Sequence, residues 1–295
     1  MKFMKKSILM LFVVLIGQLL SGQVTDLEKN VLIDLYNNTK GESWIKSWDL
    51  NAPVSTWEGV TLENNKVVSI NLMNNNLGGS IPNSIGDLKN LKVLNLALNN
   101  IAGYIPESIT DLKELAVLRL GKNKMTGSIP KNIGSMEKLL VLDLFYNDLS
   151  GELPQSMGGI KGLRVILLSH NGLSGSIPLT FGNLKNLERL ELGDNNFGGV
   201  VPDSLDNLTN LKMLVLAENR FRGEFPGDIL DLPNLKLVQL QNNRFGKSDF
   251  SADAGSSKFA LFDYDGSNHR NFDFNKINSN KDVRTADTRF EDSFN

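Results

Sequence analysis

The chain has 295 residues, of which 41% are hydrophobic, and it contains no Cys. The absence of Cys excludes disulfides, Cys-ligated metal sites and a thiol nucleophile. The formal net charge of −2 argues against a nucleic-acid-binding protein, which normally carries a basic face.

Residues 1–22 predict a signal peptide. Lys residues near the start precede an apolar run over residues 8–16, and the small pair Ser21–Gly22 follows. The run is interrupted at Gly17 and falls short of the ~20 residues that a membrane span needs. We therefore expect a secreted, cell-surface or periplasmic protein with no transmembrane span after cleavage. Export without Cys favours a bacterial protein over a plant one.

Residues 23–66 predict an N-terminal cap that begins with a helix over about residues 26–38. Thr25 and Glu28 have the spacing of a capping box. Leu27, Val31 and Leu35 recur every four residues, which gives the helix one apolar face.

Three Trp residues follow this helix and are all the Trp of the chain: Trp44, Trp48 and Trp57. We expect them to pack in a core, because large aromatic side chains dominate core energetics. Stacking on carbohydrate is the alternative.

Residues 67–246 repeat with a constant period of 24 residues. The period is marked by Asn75, Asn99, Asn123, Asn147, Asn171, Asn195, Asn219 and Asn243. Around each Asn runs the pattern L-x-x-L-x-L-x-x-N-x-L-x-G-x-I-P, with the Gly from Gly79 to Gly223 and the Pro from Pro82 to Pro226 in the same phase. Such a period predicts a solenoid of eight repeats.

Each part of the pattern has a structural role. The L-x-L alternation predicts a short strand whose Leu side chains point inward, and strands of successive repeats should stack. The Asn side chain can satisfy backbone groups where the chain leaves the strand, so the Asn residues should form a buried ladder. Gly permits a tight turn and Pro ends the pairing. Segments such as "NSIGDLKN" should return as short 3₁₀ or helical turns.

The repeat resembles the leucine-rich repeat, in particular its plant-type 24-residue subclass marked by L-x-G-x-I-P. This resemblance implies an α/β repeat solenoid, a horseshoe or superhelix with a parallel sheet on its concave face and 3₁₀ or helical turns on its convex face. The order W…W…W-x-G-V resembles the N-terminal cap of the same subclass. In that family a Cys pair flanks the last Trp, but Ser55 and Leu62 stand at these positions here, so Trp packing must hold the cap.

After Asn243 the pattern breaks. Residues 247–274 hold many aromatic side chains and predict a C-terminal cap, whereas residues 275–295 are typical of a mobile tail or of a secretion or attachment signal. "DYDGSN" at 263–268 suggests calcium but lacks the spacing and the distal Glu of an EF-hand. We predict no metal and no cofactor.

Alternation along each strand places the residue between the two Leu, the next outward residue and the residue before the Asn on the concave face. Phe145 and Tyr146 fall at such positions, where other repeats mostly hold small, polar or charged residues. An aromatic centre between basic and acidic flanks is typical of a binding surface. The predicted ligand-binding residues are Arg119, Lys122, Asp143, Phe145, Tyr146, Leu167, His170, Glu191, Asp194 and Glu218.

The sequence predicts a protein that is not an enzyme. Ser169, His170 and Asp194 could form a hydrolase triad, but no feature indicates an oxyanion hole. Glu191 and Asp194 could imitate a glycosidase pair, but they more simply make the surface acidic.

We therefore expect an exported scaffold that recognises a protein or a polysaccharide through its concave face. In plants, such repeats form receptor ectodomains and inhibitors of cell-wall-degrading enzymes. The alternatives are a structural or adhesive surface protein, an ice-binding protein and a hydrolase. Ice binding is disfavoured because no Thr or Asn column runs along the concave positions.

Overall fold

A computed structural model describes residues 24–246 and 258–264. The predicted signal peptide, the predicted tail, most of the predicted C-terminal cap and most of "DYDGSN" lie outside these residues. Within the described ranges, no helix has the length and apolar character needed to cross a membrane.

The N-terminal cap is a helix followed by a Trp-rich segment. Helix α1 spans Asp26–Asn38, and the Thr25 hydroxyl accepts a hydrogen bond from the Glu28 backbone N–H at 3.3 Å. Trp44, Trp48 and Trp57 are buried. Trp44 packs edge-on against Trp48 and Trp57 stacks on it, each with ring centroids 4.8 Å apart. The expectation that the Trp residues form a core is confirmed.

Seventeen strands follow in the described residues. They are β1 (Val60–Glu63), β2 (Lys66–Asn71), β3 (Val93–Asn95), β4 (Ala102–Tyr104), β5 (Val117–Arg119), β6 (Lys124–Gly127), β7 (Val141–Asp143), β8 (Asp148–Glu152), β9 (Val165–Leu167), β10 (Gly172–Gly175), β11 (Arg189–Glu191), β12 (Asn196–Gly199), β13 (Met213–Val215), β14 (Arg220–Gly223), β15 (Leu237–Gln239), β16 (Arg244–Phe245) and β17 (Leu261–Asp263).

The main sheet contains ten strands in the order β1-β2-β3-β5-β7-β9-β11-β13-β15-β17. The β1–β2 pair is antiparallel and joins the cap to the sheet, whereas the later pairs are parallel with a register of 24 residues. Leu91, Leu94 and Leu96 and their counterparts point inward and are fully buried. This is the concave parallel sheet that the L-x-L alternation predicts.

The return segments are 3₁₀ turns, as predicted. They are Asn83–Asp87, Glu107–Asp111, Ile133–Ser135, Gln155–Gly159, Leu179–Asn183, Asp203–Asn207 and Gly227–Asp231.

A second parallel sheet was not predicted. It contains seven strands in the order β16-β14-β12-β10-β8-β6-β4 and is built from the segment that follows each repeat's Asn. Five of its strands each bury one apolar side chain, such as Met125 or Phe221, between polar or Gly neighbours, and the end strands β4 and β16 bury none. The Gly ends the strand with the positive φ expected of a turn, +78° at Gly127. The strands are too short for period-two alternation to be visible in the sequence.

The Asn residues form the predicted ladder, and its hydrogen bonds join the two sheets. The Asn147 side-chain amide donates to the carbonyls of Leu120 and Leu144, at the ends of β5 and β7, at 3.0 and 3.2 Å. Its carbonyl accepts from the backbone N–H of Met125, in β6, at 2.9 Å. One side chain therefore binds two strands of the main sheet and one strand of the second sheet.

The period continues into β17, beyond the eight repeats that the sequence predicts. Leu261–Asp263 pairs in parallel with Leu237–Gln239, again 24 residues apart. Phe259, Phe262 and Tyr264 stand where earlier repeats have inward aliphatic residues, and they pack against the end of the core.

We expect Asn123→Ala to destabilise the protein by about 1–3 kcal/mol, because it leaves buried backbone groups without partners. The Asn123 amide donates to Leu96 and Leu120, and its carbonyl accepts from Ile101. The measurement is urea unfolding followed by circular dichroism. Asn100→Ala, at an exposed position one residue after the ladder, is the control and should change little. Equal effects of both substitutions would contradict the role of the ladder.

Candidate ligand-binding surface on the concave sheet

The outer side of the main sheet carries an apolar stripe that the sequence analysis did not include. It consists of Val93, Val117, Val141 and Val165, the first residues of β3, β5, β7 and β9. The last three are at most 7% exposed, since stacked side chains on neighbouring strands cover one another. These valines lie two residues before the outward position between the two Leu, so the same alternation could have identified them.

Three predicted ligand-binding residues are less accessible than expected. Asp143, Leu167 and Glu191 lie on the outer side of the sheet, but they are only 3%, 7% and 6% exposed. Leu167 packs with the apolar stripe. The expectation that these three side chains are displayed was wrong, because period-two alternation gives the direction of a side chain and not the height of its neighbours.

Phe145, Tyr146 and His170 form an aromatic cluster above this layer. The Phe145 ring meets the His170 ring edge-on at a centroid distance of 5.0 Å, and the Tyr146 ring lies 5.8 Å from His170. Phe145 is half-buried against the stripe, whereas Tyr146 is 58% exposed. Phe145 therefore anchors the cluster and Tyr146 presents it to solvent.

Asp143 holds the backbone beneath this cluster. Its Oδ1 accepts a hydrogen bond from the Phe145 N–H at 3.1 Å. Asn71 and Asn95 make the same bond two residues ahead, to Met73 and Ala97. The sheet therefore accepts a neutral amide at this position, and Asp143 adds a charge that the bond does not require.

Burial raises the pKa of the Asp143 carboxyl to about 6, from 3.8. The Phe145 N–H and the charges of Arg119 and Arg189 lower this pKa, and Glu191 raises it further. Gly121 leaves room for the carboxylate, since a Cβ there would lie 2.6 Å from Oδ1.

The charged residues are ordered along the solenoid. Lys122 is exposed on the amino-terminal side of the cluster and forms no ion pair within the described residues; Arg119, half-buried, lies on the same side. Asp194 and Glu218 are exposed on the other side. Asp194 Oδ2 lies 2.6 Å from His170 Nδ1, so it joins the acidic flank to the aromatic cluster.

The remaining polar contacts bind the acidic flank to its own neighbours. Glu191 forms an ion pair with Arg189, two residues earlier on the same strand. The Asn242 amide donates to the Glu218 carboxylate. Arg189 was not predicted as part of the surface, although it occupies the same column as the valines of the apolar stripe.

The most exposed column has a left-handed backbone. Lys122, Tyr146, His170, Asp194 and Glu218 all have φ between 50° and 59°. Non-Gly residues seldom adopt this conformation, which costs about 1–2 kcal/mol per residue. Backbone bonds hold it: the Tyr146 N–H, for example, donates to the Ser169 carbonyl at 2.9 Å.

The contacts do not assemble the catalytic groups that the sequence suggested. Ser169 Oγ is buried and has no hydrogen-bond partner among the described atoms, so it is not bonded to His170. Glu191 and Asp194 have separate partners, Arg189 and His170. Within the described residues, no cluster of three His, Asp or Glu side chains could hold a metal ion.

Comparisons with known proteins agree with this architecture. Models of the leucine-rich repeat match residues 65–125, 138–160, 162–184 and 185–245. No curated protein sequence matches the chain.

Several solved structures are similar. The plant peptide hormone receptor RGFR1, in complex with RGF2, is 40% identical over 60% of this chain and 28% of its own, with a TM-score of 0.59. The Arabidopsis receptor kinase HAESA, in complex with the peptide hormone IDA and the co-receptor SERK1, is 37% identical over 59% of this chain and 29% of its own, with a TM-score of 0.58. The chain thus spans under a third of these receptor chains.

A plant ice-binding protein shares the fold. It is 24% identical over 76% of this chain and 81% of its own, with a TM-score of 0.57. At this identity the likeness concerns the fold alone.

We expect Asp143→Asn to stabilise the protein at pH 7.5 by on the order of 1–3 kcal/mol, given about 1.4 kcal/mol per pKa unit. The folded-state pKa, about 6, lies above the unfolded value of 3.8, so ionised Asp143 opposes folding above pH 6. As the pH falls from 7 to 4, the folded state takes up the proton first and this cost disappears.

The check is urea unfolding of the wild type and Asp143→Asn at pH 7.5 and pH 4. The two proteins should differ at pH 7.5 and converge at pH 4. A stability difference that does not change with pH would contradict the assignment.

Proposed function

We propose that this chain, which belongs to the leucine-rich-repeat family, is an extracellular scaffold that binds an extended peptide segment across its concave sheet. The observation that carries this proposal is the exposed aromatic cluster between a basic and an acidic flank. Receptors of peptide hormones with similar sequences support a protein ligand and an extracellular location. The contacts of Ser169 and Glu191, which assemble no catalytic group within the described residues, support a binding role without catalysis.

The layering of the surface suits peptide binding. The apolar stripe and Phe145 form a rigid floor, and Tyr146 supplies a ring with a polar hydroxyl at its exposed end. Interface hot spots are enriched in Tyr and Trp side chains that are surrounded by contacts excluding water. Asp143 acts here as a positioning residue, since it bonds the Phe145 backbone and is buried.

The charge order specifies the ligand further. Lys122 and Glu218 lie four strands apart, about 19 Å at ~4.8 Å per strand. An extended peptide rises ~3.3 Å per residue, so about six residues separate the groups that would contact them. The preferred peptide therefore has an acidic residue at one end, an aromatic residue or Pro in the middle, and a Lys or Arg about six residues from the acid.

The proposal is tested by isothermal titration calorimetry with synthetic peptides of this charge pattern. Peptides with two acidic or two basic ends are the controls, because each can satisfy only one of the two flanks. A peptide with the reversed charge order is not a useful control, because it could bind with its chain running in the opposite direction. We expect the mixed-charge peptide to bind and both controls to bind more weakly. Equal binding of all three peptides would contradict the charge order.

We expect Tyr146→Ala to weaken peptide binding about thirtyfold or more, since truncation of a hot-spot side chain costs about 2 kcal/mol or more. Both residues carry a Cβ, so the substitution leaves the left-handed backbone strain unchanged. Tyr104→Ala is the matched control, since Tyr104 is 72% exposed on the second sheet, away from the concave surface.

Thermal midpoints of the variants should match that of the wild type. A similar loss of binding in both variants would contradict the location of the site. Concentration-dependent oligomers without peptide binding would instead favour a structural or adhesive role. The ice-binding alternative has little support, because outward residues of the second sheet, such as Lys124, Asp148 and Arg220, form no regular array.

A further inference from the structure

The second sheet carries a cluster of three exposed arginines far from the aromatic cluster in the fold. Arg220 and Arg222 lie in β14 and Arg244 lies in β16. Arg222 and Arg244 are direct partners in the parallel register, and Arg220 lies two residues earlier on the same side of β14. Phe221, between the first two, points into the core and is fully buried.

This arrangement is unfavourable for the folded protein alone. Like charges directly opposite each other on neighbouring strands destabilise a sheet. Within residues 24–246 and 258–264, none of the three arginines forms an ion pair. Arg220 Nη2 donates to the neutral side-chain carbonyl of Asn196 at 2.7 Å, which orients the guanidinium without neutralising it.

Several cations elsewhere along the solenoid are compensated from a neighbouring repeat. Lys92 pairs with Glu63 at 2.6 Å, and Lys138 pairs with Glu114. Arg164 and Lys212 both pair with Glu188, and their hydrogen bonds outweigh burial and lower the pKa of that carboxyl. The arginine cluster gathers three cations on two neighbouring strands without such pairing, in a chain whose net charge is negative.

We propose that Arg220, Arg222 and Arg244 bind an acidic polysaccharide through its carboxylate groups. The planar guanidinium offers two parallel N–H donors to one carboxylate, which a Lys ammonium does not. Strands ~4.8 Å apart present such donors at short, regular intervals.

The surroundings favour a sugar chain over other polyanions. Gly198 and Gly246 lie beside the arginines and leave the backbone there without side chains, so an extended polymer can lie close to the sheet. Val200 is 60% exposed beside Gly223 and offers an apolar contact for the C–H face of a sugar ring.

Nucleic acids and membranes fit this surface less well. The neighbouring rings of Phe221 and Phe225 are buried, so they cannot stack on bases as single-stranded nucleic acid requires. Duplex DNA is recognised through a larger basic face than three arginines in an acidic chain provide. A single exposed Val does not form the apolar face that inserts into a lipid surface.

The test measures binding of the chain to polygalacturonate and to its fully methyl-esterified form, which has the same backbone without the charge. We expect binding to the acidic form only, and a steep decrease with salt. Equal binding to both forms, or to neither, would overturn the proposal. Equally tight binding to duplex DNA or to phosphatidylserine vesicles would overturn it in favour of those partners.

Variants locate the site. Arg222→Ala/Arg244→Ala should weaken polygalacturonate binding by at least about tenfold, since charge-assisted hydrogen bonds are lost. Arg222→Lys/Arg244→Lys, which keeps the charge and loses the paired donors, should bind at an intermediate level.

Lys124→Ala/Lys131→Ala is the control with the same change of charge at exposed positions elsewhere, and it should bind as the wild type. The arginine variants should keep or raise the thermal midpoint, because they relieve like-charge repulsion. Wild-type binding by Arg222→Ala/Arg244→Ala would overturn the assignment. Peptide binding at the concave sheet should not change in any of these variants, so the two proposals fail independently.

Discussion

The buried Asn ladder is the interaction on which the rest of the molecule depends. From Asn147 to Asn243, each Asn side chain bonds the carbonyls at the ends of two main-sheet strands and one N–H of the second sheet, as Asn147 does with Leu120, Leu144 and Met125. These backbone groups lie where the chain turns out of one sheet toward the other, and burial would make them costly without partners. The ladder thus fixes the spacing of successive strands and, through it, the spacing of the side chains displayed on both sheets.

The sequence was sufficient for the architecture wherever a physical rule repeats. Eight equivalent Asn residues and the L-x-L alternation predicted the parallel concave sheet, the Asn ladder and the 3₁₀ returns, and the Trp residues form the predicted core. The second sheet was missed because none of its strands buries more than one residue, such as Met125 in β6. The strand β17 was missed because aromatic residues replace the inward aliphatic pattern there.

The candidate surface was predictable in direction but not in depth. Phe145, Tyr146 and His170 come together as their phase in the repeat indicates. Asp143, Leu167 and Glu191 have the correct phase and are nevertheless buried, because accessibility depends on the size of side chains on adjacent strands. The order of basic and acidic flanks follows from the linear sequence alone, since in a solenoid neighbouring repeats are neighbours in space.

In the left-handed column, the stability of the fold depends little on which side chain is displayed. At Lys122, Tyr146 and His170 the backbone N–H is already engaged with the next repeat, and the side chain leaves the sheet. Substitutions of one non-Gly side chain for another at these positions should change the stability of the fold little, because every L-residue has the same left-handed backbone strain there. Ligand preference can therefore evolve by substitution of one repeat at a time along this column. A protein engineer can likewise randomise these side chains without changing the fold.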